Sequence, residues 1–309
     1  MIRNWYEKLQ TNLEQAIVGK TREIQTAVAT LLTGGHLLLE DVPGTGKTTL
    51  ARALAKSLGL EFRRVQFTPD LLPSDLTGVY VYLGGGFEFR PGPLFTGLLL
   101  ADELNRATPK TQSALLEAMQ EGQVTLEGKT HPLPKPFLVI ATQNPIEQEG
   151  TYRLPEAQLD RFTARIRLGY PAREDERVML RRLRQHNPLE ALEPVTSAAE
   201  VLQVQKLVRQ VRVEPPLEDY LLALVAATRE AEGVVLGASP RAALALEHFA
   251  QALAALEGRD YLIPDDLKAA AIPVLAHRLV LSYEARLEGQ SAEGLLREIL
   301  QRTAVPVEA

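Results

Sequence analysis

The sequence predicts an α/β fold: a parallel five-stranded sheet between helices, joined to a second domain made of helices. Three observations carry this expectation. Short apolar runs alternate with helical stretches up to Pro171, the pattern of strands covered on both faces. One such run, Leu37-Leu38-Leu39, leads through the turn Asp41-Val42-Pro43-Gly44-Thr45-Gly46 directly into a helix. Beyond Pro171 the pattern is helical throughout.

Strands are expected at 36–40, 61–67, 98–101, 137–142 and 162–168, with helices at 20–32, 48–58, 109–121 and 156–161. The third helix is well punctuated: Thr108 can cap it, Pro109 suits its first turn and Gly122 stops it. Two alternating stretches around glycine turns, at about 77–91 and 123–133, read as β-hairpins inserted between core elements. Asn187-Pro188 through Ser197 marks a linker, dividing the chain into a core at 1–188 and a helical lid at 189–309. Within the lid, Ser239 can cap a helix that has Pro240 at its first position. Arg241 then projects from the first turn, while Leu244, Phe249, Leu253 and Leu256 face a core.

The chemistry concentrates at two strand ends. Gly44 and Gly46 let backbone N–H groups crowd onto phosphate oxygens, Lys47 can reach the terminal phosphates, and the Thr48 hydroxyl is a ligand for Mg²⁺. Asp41 replaces the first glycine of the usual eight-residue loop, a position where an aspartate tolerates the backbone turn. Some fifty residues on, Leu98-Leu99-Leu100-Ala101-Asp102-Glu103 ends a buried strand in two carboxylates. Asp102 suits a hydrated Mg²⁺, and Glu103 can polarise the attacking water, which separates ATP hydrolysis from nucleotide binding alone. Asn144, at the end of the strand expected beside Asp102-Glu103, brings a neutral amide near the γ-phosphate.

In order, Asp41-Val42-Pro43-Gly44, Leu100 to Ala107, Gln112 to Glu121, Ala141-Thr142-Gln143-Asn144-Pro145, Leu154 to Phe162 and Gly237 to Ala242 resemble the motifs of the MoxR family of AAA+ proteins, in the helix-2-insert clade. Asp41 looks like this family's usual variant. The resemblance covers nearly the whole chain and implies several roles. Asn144 matches sensor 1 and Arg241 matches sensor 2, which reaches from the lid to the γ-phosphate. Arg161 matches an arginine finger completing a neighbour's site, with Arg106, Arg153 and Arg165 as rivals and a salt bridge to Asp160 or Glu156 as the structural alternative. Val18 and Gly19 look like an adenine-side contact, so the set expected at the nucleotide runs Val18, Gly19, Asp41, Val42, Pro43, Gly44, Thr45, Gly46, Lys47, Thr48 and Thr49. The two hairpins match the helix-2 insert and the pre-sensor-1 hairpin, and the aromatics Tyr80, Tyr82, Phe87 and Phe89 are candidates for substrate contact.

Composition bounds the partners. The chain of 309 residues has no cysteine, which excludes disulfide scaffolds and thiol catalysis, and its five histidines (His36, His131, His186, His248 and His277) show no metal-ligand spacing. Met1 leads into Ile2-Arg3-Asn4-Trp5 rather than a signal segment, and no apolar run suits a bilayer, so a cytoplasmic protein is expected. The net charge of −5 opposes a broad grip on DNA or anionic lipid. The expectation is a Mg·ATP-hydrolysing ring, a hexamer, that remodels or matures client proteins, with a von Willebrand factor A domain partner implied by the resemblance. A nucleic-acid motor and a slow, nucleotide-gated scaffold are the alternatives.

Overall fold

The computed structural model describes residues 1–144, 150–185 and 187–306; Pro145 and His186 lie outside the described residues. Helices α1 (Ile2–Ala16) and α2 (Thr21–Leu32) precede β1 (Leu37–Glu40), α3 (Lys47–Ser57), β2 (Phe62–Gln66) and α4 (Pro73–Thr77). A first hairpin, β3 (Gly78–Leu83) and β4 (Gly86–Pro91), is followed by β5 (Leu98–Asp102) and α5 (Pro109–Glu121). A second hairpin, β6 (Gln123–Leu126) and β7 (Lys129–Pro132), leads to β8 (Leu138–Gln143), α6 (Glu156–Leu159) and β9 (Ala164–Ile166). The rest comprises α7 (Arg173–Gln185), α8 (Pro188–Ala191), α9 (Ala198–Val208), α10 (Pro215–Glu230), β10 (Val234–Leu236), α11 (Pro240–Leu256), α12 (Pro264–Leu275), β11 (Val280–Leu281), α13 (Tyr283–Leu287) and α14 (Ala292–Arg302).

The five expected strands form one parallel sheet in the order β2-β5-β8-β1-β9. Their unbroken apolar runs follow from burial on both faces. Leu37, Leu39, Leu98, Leu100, Leu138 and Ile140 face the layer of α1, α2 and α3. Their strand neighbours Leu38, Leu99, Ala101, Val139 and Ala141 face the opposite layer, built on α5. Truncating a fully buried leucine such as Leu38 to alanine should cost about 2–5 kcal/mol.

Several local expectations change. The lid is not helical throughout, because β10 and β11 pair as an antiparallel ribbon. Its α11 and α12 share one continuous apolar cluster with α1, α2 and the sheet. Leu244 is 58% exposed, since the buried stripe of α11 runs through Leu246, Phe249, Leu253 and Leu256 and Leu244 lies two residues out of that phase. Thr108 occupies the N-cap of α5 without a side-chain bond to the helix backbone, its hydroxyl meeting that of Thr111 at 3.3 Å. Pro109 and Gly122 stand as expected, with Gly122 at φ 62°. The helix expected at 156–161 stops at Leu159, which leaves Arg161 in the turn before β9.

Candidate active site

The glycine loop leaves the C-terminal end of β1, with Gly44 and Gly46 at φ 86° and 93°, values that side chains adopt only at a cost. Gly46 is the residue before α3, so the first turn of that helix points its free N–H groups into the loop. Lys47 spans the loop and donates to the Asp41 carbonyl at 2.7 Å. Val42, Thr45, Thr48 and Thr49 are half-buried along the same turn, and Pro43 is exposed. Asp41 is buried, and its carboxylate is turned to the base of the loop, accepting from Val42 N at 2.9 Å and Gly169 N at 2.6 Å. That engagement keeps its negative charge anchoring the loop to the end of β9.

β8 lies between β1 and β5, so about 10 Å separates the glycine loop from the Asp102-Glu103 strand end. Asn144 follows β8 directly and is buried between the two, as the sequence placed it. Glu103 adopts φ 55°, a left-handed conformation unusual for this residue type. The Thr142 hydroxyl organises that corner: it donates to Asp102 Oδ1 at 2.6 Å and accepts from Glu103 N at 2.8 Å. Both carboxylates also have partners that the sequence reading missed. Arg64, on β2, donates to Asp102 Oδ2 at 2.7 Å, and Gln66 donates to Glu103 Oε2 at 2.6 Å. The register of β2 against β5, which pairs Gln66 with Asp102, puts them there, and sequence alone carries no sign of it.

Beside the loop, a cleft of about 200 Å³ is lined by Val18 and Thr49 together with Met179, Leu183, Pro188 and Leu189. Its largely apolar lining suits a purine ring. Val18, expected beside the nucleotide, lines this cleft, and α7 contributes a wall that the sequence does not reveal. Gly19 has φ 70°, a left-handed conformation that favours glycine, and the Asp175 carboxylate of α7 lies against it. Arg182 ties α7 back to the end of α1 by donating to the Glu14 and Gln15 carbonyls at 2.8 and 2.7 Å.

Arg161 and Arg241 are elsewhere. Thr163, at the start of β9, donates its N–H to His36 O at 2.9 Å, which puts this segment at the N-terminal end of the strands. From His36 to Asp41 the chain climbs roughly 16 Å of strand before reaching the loop. Arg241 Nε lies 3.9 Å from Asp160 Oδ2, at that same lower end, rather than over its own glycine loop. Asp160 pairs chiefly with a third arginine, Arg278 of the lid, at 2.7 Å, which the sequence analysis did not single out. The signal for it was present: one arginine inside the apolar run from Ala269 to Leu281. Arg165 is locked between Glu40 and Glu293 at 3.1 and 2.6 Å, and Arg106 pairs with Glu103 of its own chain at 3.0 Å. Arg165 is therefore a poor candidate to reach a neighbour, while Arg106 and Arg153 are exposed.

Comparison with known proteins agrees with this geometry. Residues 36–164 match the ATPase family associated with various cellular activities (AAA), and residues 226–299 match the AAA lid domain. The glycine loop and carboxylate pair therefore belong to an AAA+ ATPase, an enzyme that hydrolyses ATP. The chain is 50% identical to Bacillus subtilis YeaC over 97% of its own length and 95% of that protein's. It is 43% identical to the Mycobacterium tuberculosis chaperone MoxR1, over 97% and 82% of the two chains. A crystal structure of a Cytophaga hutchinsonii protein superposes with a TM-score of 0.93 at 43% identity, covering 99% and 96% of the two chains. This chain belongs to the MoxR family.

Proposed function

We propose that the protein binds and hydrolyses Mg·ATP at the subunit interfaces of a ring, a hexamer, and uses the turnover to remodel or mature client proteins in the cytoplasm. The observation that carries the interface reading is the separation of Arg161 and Arg241 from their own Lys47. Two cations at the strands' N-terminal ends have no phosphate to serve in the same chain, whereas a ring brings that end of one subunit to the loop of the next.

Within this reading the loop amides and Lys47 hold the phosphates, Val18 and the α7 wall take the base, and Glu103 accepts the proton of the attacking water. Asn144 can hold that water or a phosphate oxygen without neutralising Glu103. Thr48 and Asp102 are hard oxygen donors of the kind Mg²⁺ uses when substrate phosphates and water complete its shell, so the residues fit this ion. When bound, the ion offsets charge on the β- and γ-phosphates. Arg161 and Arg241 approach the same phosphates from the neighbour.

The client reading is supported by the name of the MoxR1 relative and by the first hairpin. Its tip exposes Tyr82 and Phe87, stacked edge-on at 5.4 Å, at 64% and 71% exposure. Tyr80 and Phe89 serve otherwise: both pack on His131 of the second hairpin, with Tyr80 Oη 3.0 Å from His131 Nε2 and Phe89 stacked at 4.0 Å. The two hairpins thus form one unit presenting a single aromatic tip. A client or partner carrying a von Willebrand factor A domain fits this reading. Among the described residues, no helix is long and apolar enough to cross a membrane.

The test mixes two inactive proteins. Lys47→Ala subunits keep Arg161, and Arg161→Ala subunits keep the loop, so mixed rings should regain ATPase activity at interfaces where an intact Arg161 meets an intact loop. Mixtures that assemble yet never exceed the sum of the separate variants would refute the interface reading.

A further inference from the structure

Arg278 ends a short 3₁₀ turn, Ala276–Arg278, between α12 and β11. Its side chain is 4% exposed, and every one of its five N–H donors has an acceptor. Nε donates to Asp160 Oδ1 at 2.7 Å. Nη2 donates to the Asp160 and Phe162 carbonyls at 3.2 and 2.8 Å, and Nη1 to the Thr163 and Val274 carbonyls, the former at 3.1 Å. Four of the five acceptors belong to Asp160, Phe162 and Thr163, which bracket Arg161. The preceding residue adds a further bond, His277 Nε2 to Phe162 O at 3.0 Å.

From the other side the same segment is pressed onto the core. Thr163 N is bonded to His36 O, and a Cβ on Gly35 would lie 1.8 Å from the Thr163 hydroxyl oxygen. The turn carrying Arg161 is therefore held between the start of β1 and a lid arginine. Stability alone does not explain an arginine here, because replacing a buried ion pair by apolar side chains is often neutral or stabilising. What a rigid, planar fork adds is geometry: it fixes several acceptors at once, which neither lysine nor an aliphatic chain can do.

We infer that Arg278 is the positioning residue for Arg161, so that the lid of each subunit sets the finger it presents to the next subunit's ATP. The inference rests on the reading of Arg161 as a group acting in trans. Under it, lid and finger move as one body, and a lid displaced in one subunit alters hydrolysis in its neighbour rather than in its own loop.

The experiment places Arg278→Lys on one partner at a time in the mixed ring of Lys47→Ala and Arg161→Ala subunits. Only one kind of productive interface exists there, an Arg161 from the first subunit against a loop of the second. With Arg278→Lys in the finger-donating Lys47→Ala subunit, kcat should fall roughly tenfold or more, in keeping with the cost of a misplacement near 1 Å. With the same change in the loop-bearing Arg161→Ala subunit, activity should stay within about twofold of the parent mixture. A general structural role would lower activity wherever the change is carried, so equal losses in the two placements, or no loss in the donor, would overturn the inference. Asp160→Asn, which keeps the shape and removes the charge, should show the same asymmetry with a smaller loss and serves if the lysine variant fails to assemble; native mass spectrometry reports ring formation in each case. No activity in the parent mixture would instead remove the trans reading of Arg161, and this inference with it.

Discussion

Gln66 donates its side-chain amide to Glu103 Oε2 at 2.6 Å, from the end of β2 to the residue after β5. The same oxygen accepts from Arg106 at 3.0 Å. The carboxylate proposed to take a proton from water is thus held by two donors, and the Gln66 amide turns it toward β2. Gln66→Ala should raise basal kcat a few-fold with KM for ATP unchanged, as read by steady-state kinetics. A fall in kcat would mean that the amide supports Glu103 in its working position.

Binding and chemistry should separate cleanly. Glu103→Gln keeps the shape of the site and removes the base, so Mg·ATP affinity should persist while turnover drops by roughly a hundredfold or more. Lys47→Ala should weaken ATP binding itself. Fluorescent-nucleotide titration alongside single-turnover assays distinguishes the two, and near-normal turnover in Glu103→Gln would overturn its assignment.

The hairpin tip should serve clients and leave nucleotide alone. Deleting Gly84-Gly85-Gly86 together with Tyr82 and Phe87 should spare ATP affinity, since the tip takes no part in the glycine loop, and abolish stimulation of ATPase by a protein partner. Stimulation should be compared for partner proteins, single-stranded DNA and double-stranded DNA across a salt series. A response to DNA alone that declines steeply with salt would favour the nucleic-acid motor.

Acid should weaken the fold through His36. Its Nδ1 accepts from Val139 N at 3.0 Å and its Nε2 faces the Met119 carbonyl at 3.1 Å, so the ring is neutral with the proton on Nε2. Burial lowers its pKa from 6.5 to about 4. The unfolded chain therefore takes up the proton first as pH falls, and the stability present above pH 6.5 is lost progressively toward pH 4. Burial, and then Arg278 and Arg165, lower His277 in the same direction. Urea unfolding at pH 7.5 and 4.5 should show a loss from His36 of about 2–3 kcal/mol, absent in His36→Gln. Parallel pH profiles for the two proteins would refute the assignment.

The sequence by itself determined the five sheet strands, the loop-to-helix turn, the carboxylate pair and the two hairpins. Each is written in a local pattern: an apolar run between turns, glycines beside a lysine, alternation around a glycine tip. Strand order then put Asn144 between Lys47 and Glu103, as its place at a strand end implied. The partners of those groups were decided by tertiary structure. Gln66 and Arg64 reach Glu103 and Asp102 only through the pairing of β2 with β5, and Met179 reaches the cleft beside Val18 only because α7 folds back over Gly19. The position of the lid was equally invisible. Docking α11 and α12 on α2 and β9 carries Arg241 to Asp160 and buries Arg278 against the residues that flank Arg161, because the apolar faces of those helices are covered there, and no residue spacing records which surface a helix will choose.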